Sequence, residues 1–475
     1  MMSDRHESQT RCSHDRPAGL SILLVCDPPS RTEIAGEFRS ALAARATARG
    51  WQLEEIIIGE AAIKPCTGCL TCYRSDGGKC VHSDGYRHLR ELARRMDCVV
   101  LLTEITFGQA SVAIKQAIDK GIGAPWGLCG PFPAQLVVGY GQDLVEDEAS
   151  CFLDIVRRHL GKAEELHLPC KECVVEAQVV LEPGDIDPTL EVLKGIVESL
   201  PAGAALAQRR SGELSATRSA TCGAGADGKP SLPVSALRHV DRGGPGSARE
   251  SPLPVLEPCA LRSVCLLNGS LRGQVSTSHF LLNTLEARLG ENSVQLQREA
   301  LSLGMLTTGL GELADRILGC DALVVALPVF SYSVPAGLLR LLVELGRRTV
   351  SGRAPELFAI VYSGSVPPHV SAETVRVLRI FAAKSGWRWG GSLVVGGGLL
   401  FKKLERIPVL VRRLDRPLLA MARVVRGDPG ARREDCYAQP PIPRFVADFI
   451  RNSLDRSAVR KAARKKRAAN RVPSI

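Results

Sequence analysis

The chain has 475 residues, of which 45% are hydrophobic and 23% charged, and its formal net charge is +11 at pH 7. A chain of this length is too long to fold around one ordinary hydrophobic core, which predicts two domains with extensions. The first 18 residues lack the apolar stretch of a signal peptide, so we expect a cytoplasmic protein without a transmembrane segment. Its sixteen cysteines are then expected to be thiols and ligands rather than disulfides.

Apolar runs alternate with helical segments in the first part of the chain. Ser21–Cys26 is a continuous apolar run typical of a strand buried on both faces, and an Ala-rich helix is predicted over 33–50. Strands that alternate with helices predict a doubly wound, parallel, five-stranded sheet for residues 19–200, after a disordered tail over 1–18. The remaining strands of this sheet are predicted at 53–58, 98–103, 135–139 and 164–168.

The pattern repeats after a segment without periodicity. Residues 201–258 are rich in Gly, Ser, Pro and Arg, which predicts a flexible linker. Cys320–Leu327 then matches Met96–Thr103 at an offset of 224. Residues 259–400 are therefore predicted to form a second five-stranded α/β domain.

Positive charge is concentrated at the C-terminus. Residues 401–475 contain 20 Lys and Arg against 7 Asp and Glu, and they predict a basic helical extension. Such a run can contact nucleic acid or an anionic membrane. No aromatic side chains alternate with the charges of its last basic stretch, 460–467, so a solvated helix end is favoured and no specific nucleic-acid partner is expected.

Four cysteines lie within fifteen residues, directly after the second predicted strand. Cys66, Cys69, Cys72 and Cys80 have the spacing C-x2-C-x2-C-x7-C. Four thiolates are the usual ligands of a [4Fe-4S] cluster, which this spacing favours. Zinc is less favoured because structural zinc loops usually separate two ligand pairs by a dozen residues or more, and unligated redox-active thiols are a third interpretation.

A phosphate site is predicted where the first strand of the second repeat ends. Residues 268–278 combine glycines, hydroxyls and an arginine at a strand-to-helix turn, although a well-capped helix start would look similar. The corresponding turn of the first repeat contains Asp27, whose charge opposes a phosphate. The predicted phosphate ligands are Ser270, Arg272, Ser276, Thr277 and Ser278, with Ser30, Arg31 and Thr32 as weaker counterparts.

Two further loops at the same sheet edge are predicted to hold a planar ring. Ligands of open α/β sheets bind at the carboxyl ends of the strands, and aromatic side chains suit a flat ring. A phosphate on one loop and a ring between the other two is the arrangement expected for FMN, although Phe330 and Tyr332 taken singly could equally be structural. The predicted ring contacts are Pro328, Val329, Phe330, Ser331 and Tyr332 after the third strand and Gly364 after the fourth.

Together these residues resemble the flavodoxin-like NAD(P)H-dependent FMN reductase superfamily, and the first repeat resembles its iron-sulfur flavoprotein branch. The segments 269–272 and 276–278 are similar to the phosphate loop of that family, and 63–72 to its cysteine segment. The resemblance implies two tandem flavodoxin-like domains, FMN, a [4Fe-4S] cluster and NAD(P)H as a possible substrate. It also implies a homo-oligomer and a small-molecule or ferredoxin-like electron partner.

The function predicted from these features is that of an FMN-dependent oxidoreductase and electron-transfer iron-sulfur flavoprotein. No side-chain acid, base or nucleophile is required because the cofactor carries the chemistry. Two alternatives are a cluster-bearing redox sensor or scaffold without turnover, and a simple NAD(P)H:quinone or FMN reductase without a cluster.

Overall fold

The computed structural model describes residues 20–200 and 262–440, apart from short gaps. The gaps are at 30–31, 60, 70, 75–79, 122–132, 166–174, 291–292, 349–353, 366 and 399–407. The predicted N-terminal tail, the linker over 201–258 and the last residues of the basic extension therefore lie outside the described residues.

The first domain is a parallel sheet covered by helices on both faces. Its strands lie in the order β2-β1-β3-β5-β6, and the two-residue β4 pairs antiparallel with the end of β3. The strands are β1 (Ser21–Cys26), β2 (Gln52–Ile57), β3 (Cys98–Thr106), β4 (Gln109–Ala110), β5 (Ala134–Tyr140) and β6 (Val175–Val180). The helices are α1 (Glu33–Arg49), α2 (Thr71–Arg74), α3 (Tyr86–Ala93), α4 (Val112–Asp119), α5 (Glu146–Glu165) and α6 (Ile186–Glu198).

The predicted fifth strand of this domain, at 164–168, is wrong. Helix α5 continues to Glu165, and the fifth parallel strand is Val175–Val180. The two glutamates at 164 and 165 favour the helix, whereas four valines give 174–180 the β-branched composition of a strand. In a short apolar run beside the end of a helix, periodicity alone does not distinguish a strand from a continuation of the helix.

The second domain repeats this architecture. Its strands lie in the order β12-β11-β10-β9-β7-β8, all parallel to their neighbours. The strands are β7 (Ser263–Asn268), β8 (Gln295–Ala300), β9 (Ala322–Pro328), β10 (Glu356–Tyr362), β11 (Arg388–Val395) and β12 (Cys436–Ala438). The helices are α7 (Thr277–Leu289), α8 (Leu310–Leu318), α9 (Ala336–Arg347), α10 (Ala372–Lys384) and α11 (Pro408–Arg426).

The sixth strand of the second sheet, β12, was not predicted. It comes from the extension that the sequence predicted to be helical, and it pairs with β11. Asp435 anchors it, because its Oδ1 accepts hydrogen bonds from Ser392 N (3.0 Å) and Ser392 Oγ (2.9 Å). Three residues are too few for a periodic signal, so only tertiary pairing identifies this strand.

The main strand order in each domain is that of a flavodoxin-like doubly wound sheet, and the predicted tandem fold is confirmed. Across the described ranges, the structure contains no helix that is both long and apolar enough to cross a membrane. Residues 322–339, a long run without charged side chains, form a strand, a tight loop and the start of a helix.

The two domains pack against each other through equivalent helices. Helix α4 contacts α9, and α5 contacts α10. Helices α4 and α9 begin at Val112 and Ala336, which are related by the same offset of 224 as the strands before them. Pairing of like elements is the arrangement of an isologous dimer, realised here within one chain.

Apolar packing and ion pairs both hold this interface. Cys151 and Ile155 of α5 belong to the same buried apolar cluster as the core of the second domain. On the adjoining surface, Arg376 of α10 donates to Asp147 Oδ1 (2.7 Å) and Asp154 Oδ2 (3.0 Å). The domains therefore share a continuous core with a charged border.

Candidate cofactor site at the domain interface

The loop after β7 is organised by hydrogen bonds within itself. Asn268 Nδ2 donates to Gly273 O (3.0 Å) and to Ser276 Oγ (3.2 Å), while Asn268 Oδ1 accepts from Ser270 N (3.1 Å). Ser276 Oγ accepts from His279 N (3.2 Å) and so caps α7. The structure thus gives Ser276, a predicted phosphate ligand, a capping role, and it adds Asn268 as the residue that shapes the loop.

Buried hydroxyls converge at the start of α7. Ser270, Thr277 and Ser278 are buried, and Ser278 Oγ donates to the Tyr362 hydroxyl (3.4 Å). Burial raises the pKa of Tyr362, so its hydroxyl remains protonated and able to donate. Arg272 is exposed at the mouth of the loop. Hydroxyls, a guanidinium and a helix N-terminus form a donor set that fits a phosphate.

The two domains differ at the first position of this loop. Gly269 N donates to Ala326 O (2.9 Å), and an added Cβ at Gly269 would lie 3.1 Å from that same oxygen. The corresponding residue of the first domain is Asp27, whose carboxylate accepts from Glu104 N (2.8 Å) and from Ser111 Oγ. The first domain therefore carries a carboxylate at a position where the second domain has little room for any side chain.

Of the weaker predicted site in the first domain, only Thr32 is described. It is buried at the start of α1, whereas Ser30 and Arg31 lie outside the described residues. Burial raises the pKa of the neighbouring Asp27 to about 6. Phosphate binding by this turn stays a prediction.

The loop after β9 that was predicted to contact the planar ring, residues 329–335, is called the ring loop below. It is a tight turn in a strained backbone conformation. Ser331 and Tyr332 have positive φ angles of 48° and 62°, and Phe330 N donates to Ser333 O (3.1 Å). Such conformations persist where the surroundings enforce them, often at functional sites. Tyr332 is buried, and its backbone carbonyl accepts a hydrogen bond from Thr374 Oγ1 (3.2 Å), which ties the turn to α10.

The remaining predicted ring contacts lie at the same edge of the sheet. Val329 N donates to the carbonyl of Tyr362, at 2.9 Å, which joins the ends of β9 and β10. Pro328 is buried at the end of β9, and Gly364 is exposed at the apex of the loop after β10. The sequence did not single out the Tyr362 side chain, which sits between the phosphate loop and these two loops.

The four cysteines predicted to hold the cluster, Cys66, Cys69, Cys72 and Cys80, lie in the segment after β2; they are half-buried and form no disulfide. Burial raises the pKa of Cys66 to about 12, and the charges of Asp119, Cys72 and Cys80 act in the same direction. Three of the thiols are thus close enough to influence one another. A thiol with a raised pKa becomes a thiolate ligand only when a cation compensates its charge.

Cys69, the remaining cysteine of this group, has a different environment. Burial works to raise the pKa of Cys69, but hydrogen bonds from Thr71 and Thr67 outweigh it and lower that pKa. Within the described ranges, no three His, Cys, Asp or Glu side chains are arranged to hold a metal ion. Cysteine thiolates are suitable ligands for iron or zinc. Metal binding by these four cysteines stays a prediction.

The cysteine loop of the first domain touches the ring loop of the second. Gly68, between the first two cysteines, has a φ of +66°, and an added Cβ there would lie 2.7 Å from Phe330 Cζ. The Phe330 ring therefore packs on the cysteine loop. The sequence grouped Phe330 with the flavin contacts and did not predict this contact between domains.

A buried ion pair supports the same contact. Lys115 and Asp119 of α4 pair with each other and are almost completely buried. Lys115 Nζ also donates to Phe330 O (3.1 Å), and Asp119 Oδ2 accepts from Ala336 N (2.9 Å) at the start of α9. No role was predicted for these two residues, although two charged side chains on the largely apolar helix 112–119 were a signal.

Comparison with known proteins gives a partial match. No protein-family model matches the chain. It is 30% identical over 104 residues to an iron-sulfur flavoprotein of Archaeoglobus fulgidus, and the match covers 21% of this chain. The chain spans 46% of the length of that relative.

Solved structures with a similar fold include two oxidoreductases. One is an NADH:FMN oxidoreductase in its apo form, with 18% identity and a TM-score of 0.29 over 36% of this chain and 95% of the other. The second is an NADPH-quinone reductase from P. pentosaceus, with 18% identity and a TM-score of 0.27 over 35% of this chain and 98% of the other.

The strand order and the loops at the carboxyl edge define a pair of flavodoxin-like domains in one chain. Over the 104 matched residues, the predicted resemblance to an iron-sulfur flavoprotein is confirmed.

Proposed function

We propose that the protein is an FMN-dependent oxidoreductase that moves electrons between NAD(P)H or a ferredoxin-type carrier and a [4Fe-4S] cluster. The second domain would hold FMN, and the four thiols of the first domain would hold the cluster. When bound, FMN accepts a hydride and releases electrons singly, and a [4Fe-4S] cluster carries one electron at a time. The observation that carries the proposal is the packing of Phe330 against Gly68, which brings the two loops together.

The chain's own residues have positioning roles in this proposal. Ser270, Thr277, Ser278 and Arg272 would bind the phosphate, and Gly269 would let the backbone of the loop lie close to Ala326. Tyr362 would donate its phenolic proton as a hydrogen bond at the same site, since burial raises its pKa. No side chain has to act as an acid or base because these groups bind and orient the cofactor.

The interface residues would fix the distance between the two loops. Lys115 holds the carbonyl of Phe330, and Asp119 holds the N-terminus of α9, directly after the ring loop. Because Lys115 and Asp119 also pair with each other, the ring loop is tied to the first domain at two points. The interface would therefore set one fixed geometry for both sites.

Cofactor content tests the proposal directly. We would purify the chain without air and measure iron, sulfide and flavin, together with the visible spectrum. We expect about four irons and one flavin per chain. Cys72→Ser should lose the iron and keep the flavin, whereas Arg272→Gln should weaken flavin binding about tenfold and keep the iron.

Two matched variants act as controls. Cys436→Ser removes a thiol far from the cysteine loop and should keep the iron. Arg31→Gln alters the corresponding turn of the first domain and should keep the flavin, because Asp27 fills that site. Flavin without iron would leave a simple reductase, and iron without flavin would leave a redox sensor. The predicted homo-oligomer and cytoplasmic location stay predictions.

A further inference from the structure

A group of arginines covers the helix that follows the cysteine loop. Residues 86–95 contain four arginines and one acidic residue, Glu91. The helical turn continues past the end of α3, since Arg94 N donates to Arg90 O (3.2 Å). The spacing of the arginines places them on one face of the helix, away from the apolar residues that α3 buries. This basic surface consists of Arg87, Arg90, Arg94 and Arg95.

The basic surface carries an excess of positive charge. Arg87 pairs with Glu91 (3.3 Å), and 70% and 57% of these two side chains are exposed. The charge of Glu91 also acts on Arg94, which is exposed. Burial and the like charge of Arg90 nevertheless lower the pKa of Arg94. One carboxylate is thus set among several guanidinium groups that lie close together.

Hydrogen bonds fix this helix to the cysteine loop. Asp84 Oδ1 accepts from Tyr86 N (3.2 Å) at the start of α3, and Asp84 Oδ2 accepts from Lys64 N (2.9 Å) just before the first cysteine. Lys120 pairs with Asp84, so this carboxylate does not offset the arginines. The charges of Arg90 and of three of the thiols all act on the Tyr86 phenol. Tyr86 therefore lies close both to the basic surface and to the cysteines.

The equivalent helix of the second domain lacks these arginines. Helix α8 begins at Leu310, which corresponds to Tyr86 at the offset of 224. At the positions of the first three arginines it carries Gly311, Ala314 and Leu318. The basic surface therefore belongs to the domain that carries the four cysteines.

The surroundings favour an acidic protein as the partner of this surface. Val81 directly follows Cys80 and is 56% exposed, and protein interfaces combine an apolar centre with a polar rim. Nucleic acid fits less well because Tyr86, the aromatic residue that could stack on a base, is buried. A membrane fits less well because the apolar residues of α3 are buried in the core of the first domain.

We propose that the basic surface docks an acidic protein electron carrier beside the cysteine loop. The electron transfer rests on the function proposed above, whereas the docking depends only on the charges of this surface. The reduced carrier loses one electron and the cluster gains it, with no bond formed or broken. Opposite charges orient the carrier toward the cysteines and speed its association at low salt.

Calorimetric titration with an acidic [2Fe-2S] ferredoxin of the plant type tests the docking. We expect binding that weakens about tenfold between about 50 mM and about 500 mM salt, because salt screens exposed charges. Arg87→Gln and Arg94→Gln should each weaken binding about threefold, and the double variant about tenfold. Glu91→Gln removes the negative charge from the surface and should strengthen binding about twofold.

Arg49→Gln is the matched control. It removes the same charge from α1, which packs on the opposite face of the first sheet and pairs there with Glu198. This variant should leave the affinity unchanged. A basic cytochrome c, as a protein of reversed charge, should not bind. Absent ferredoxin binding, equal weakening by Arg49→Gln, or tighter binding of single-stranded RNA than of ferredoxin overturns the proposal.

Cys72→Ser separates this proposal from the proposed function. The variant should lose the iron and still bind the ferredoxin, because Asp84 holds α3 without the thiols. A wild-type chain without iron that binds the ferredoxin through these arginines would remove the cluster and retain the docking surface. A wild-type chain with iron whose ferredoxin binding ignores the arginine variants would retain the cluster and overturn the docking surface.

Discussion

At the scale of single residues, the two domains diverge through a few side chains on equivalent loops. Asp27 and Gly269 occupy the same position after the first strand, yet Asp27 supplies a carboxylate, whereas Gly269 lies where a side chain would be crowded. Gly68 similarly permits an approach of the Phe330 ring that a Cβ would prevent. The effect of each of these differences on the unfolding free energy can be measured with one substitution.

Asp27 should make stability depend on pH. Burial raises its folded-state pKa to about 6, so the folded chain binds this proton more tightly than the unfolded chain does. The resulting stabilisation is present below the unfolded pKa and is lost as the pH rises through about 6. In Asp27→Asn that loss should disappear. The unfolding free energy of the wild type should fall by up to about 3 kcal/mol relative to the variant between pH 4 and 7.

Urea unfolding of the wild type and of Asp27→Asn between pH 4 and 7 measures the difference in their unfolding free energies. Glu104 and every other titrating group are common to the two chains, so their contributions cancel to first order. A difference that does not change with pH would show that Asp27 titrates normally.

Gly68→Ala should be strongly destabilising for two reasons. Its φ of +66° is costly for a residue with a side chain, and the added methyl would meet the Phe330 ring. We expect a loss of about 2–4 kcal/mol in unfolding free energy. In the Phe330→Ala background only the backbone cost, about 1–2 kcal/mol, should remain. Equal losses in both backgrounds would mean that the loops do not touch.

At the scale of elements, α4 connects the two sites. Ala113, Ile114, Ala117 and Ile118 pack in the core of the first domain. Lys115 and Asp119 face the second domain and hold the ring loop and the start of α9. A buried ion pair contributes little net stability compared with apolar residues of the same size, but it is costly to break. Such a pair can fix the register of two packed surfaces.

Lys115→Met should therefore cost about 3–5 kcal/mol of unfolding free energy, because it leaves Asp119 charged and buried without its partner. The double variant Lys115→Met with Asp119→Asn should recover most of that loss, since the amide still accepts from Ala336 N. Chemical denaturation compares the two. As a control, Lys194→Met breaks an exposed pair with Glu191 and should change stability by less than about 0.5 kcal/mol.

At the scale of the whole molecule, the chain is a dimer-like pair of domains with a shared core. Cys151, Ile155 and Val112 of the first domain lie in the apolar cluster of the second. Arg376 adds ion pairs to α5 from the other side of the same contact. Two bodies joined in this way should unfold together rather than in sequence.

Tryptophans in each domain report on this coupling. One variant keeps Trp51 of the first domain, and a second keeps Trp387 and Trp389 of the second domain, with the other tryptophans changed to Phe. We expect both fluorescence transitions to have the same denaturant midpoint. Ile155→Ala should shift both midpoints together, with a loss of about 2–5 kcal/mol. Separate midpoints would show that the domains unfold independently.

The sequence by itself determined the tandem α/β architecture. Buried parallel strands are continuous apolar runs, such as 21–26 and 263–268, and their repetition at fixed offsets is visible without coordinates. It also determined the two chemistry-bearing loops, because thiol spacing and a Gly, Ser and Arg turn are local patterns. The error at 164–168 arose where helix and strand signals are short and adjacent.

Only the tertiary structure decided how these parts meet. The contact of Phe330 with Gly68, the buried pair Lys115–Asp119 and the strand Cys436–Ala438 join residues far apart in the chain. No local pattern encodes such contacts: the first two depend on the packing of equivalent helices between domains, and the strand depends on its pairing with β11. The sequence therefore specified the two loops separately, and the fold placed them side by side.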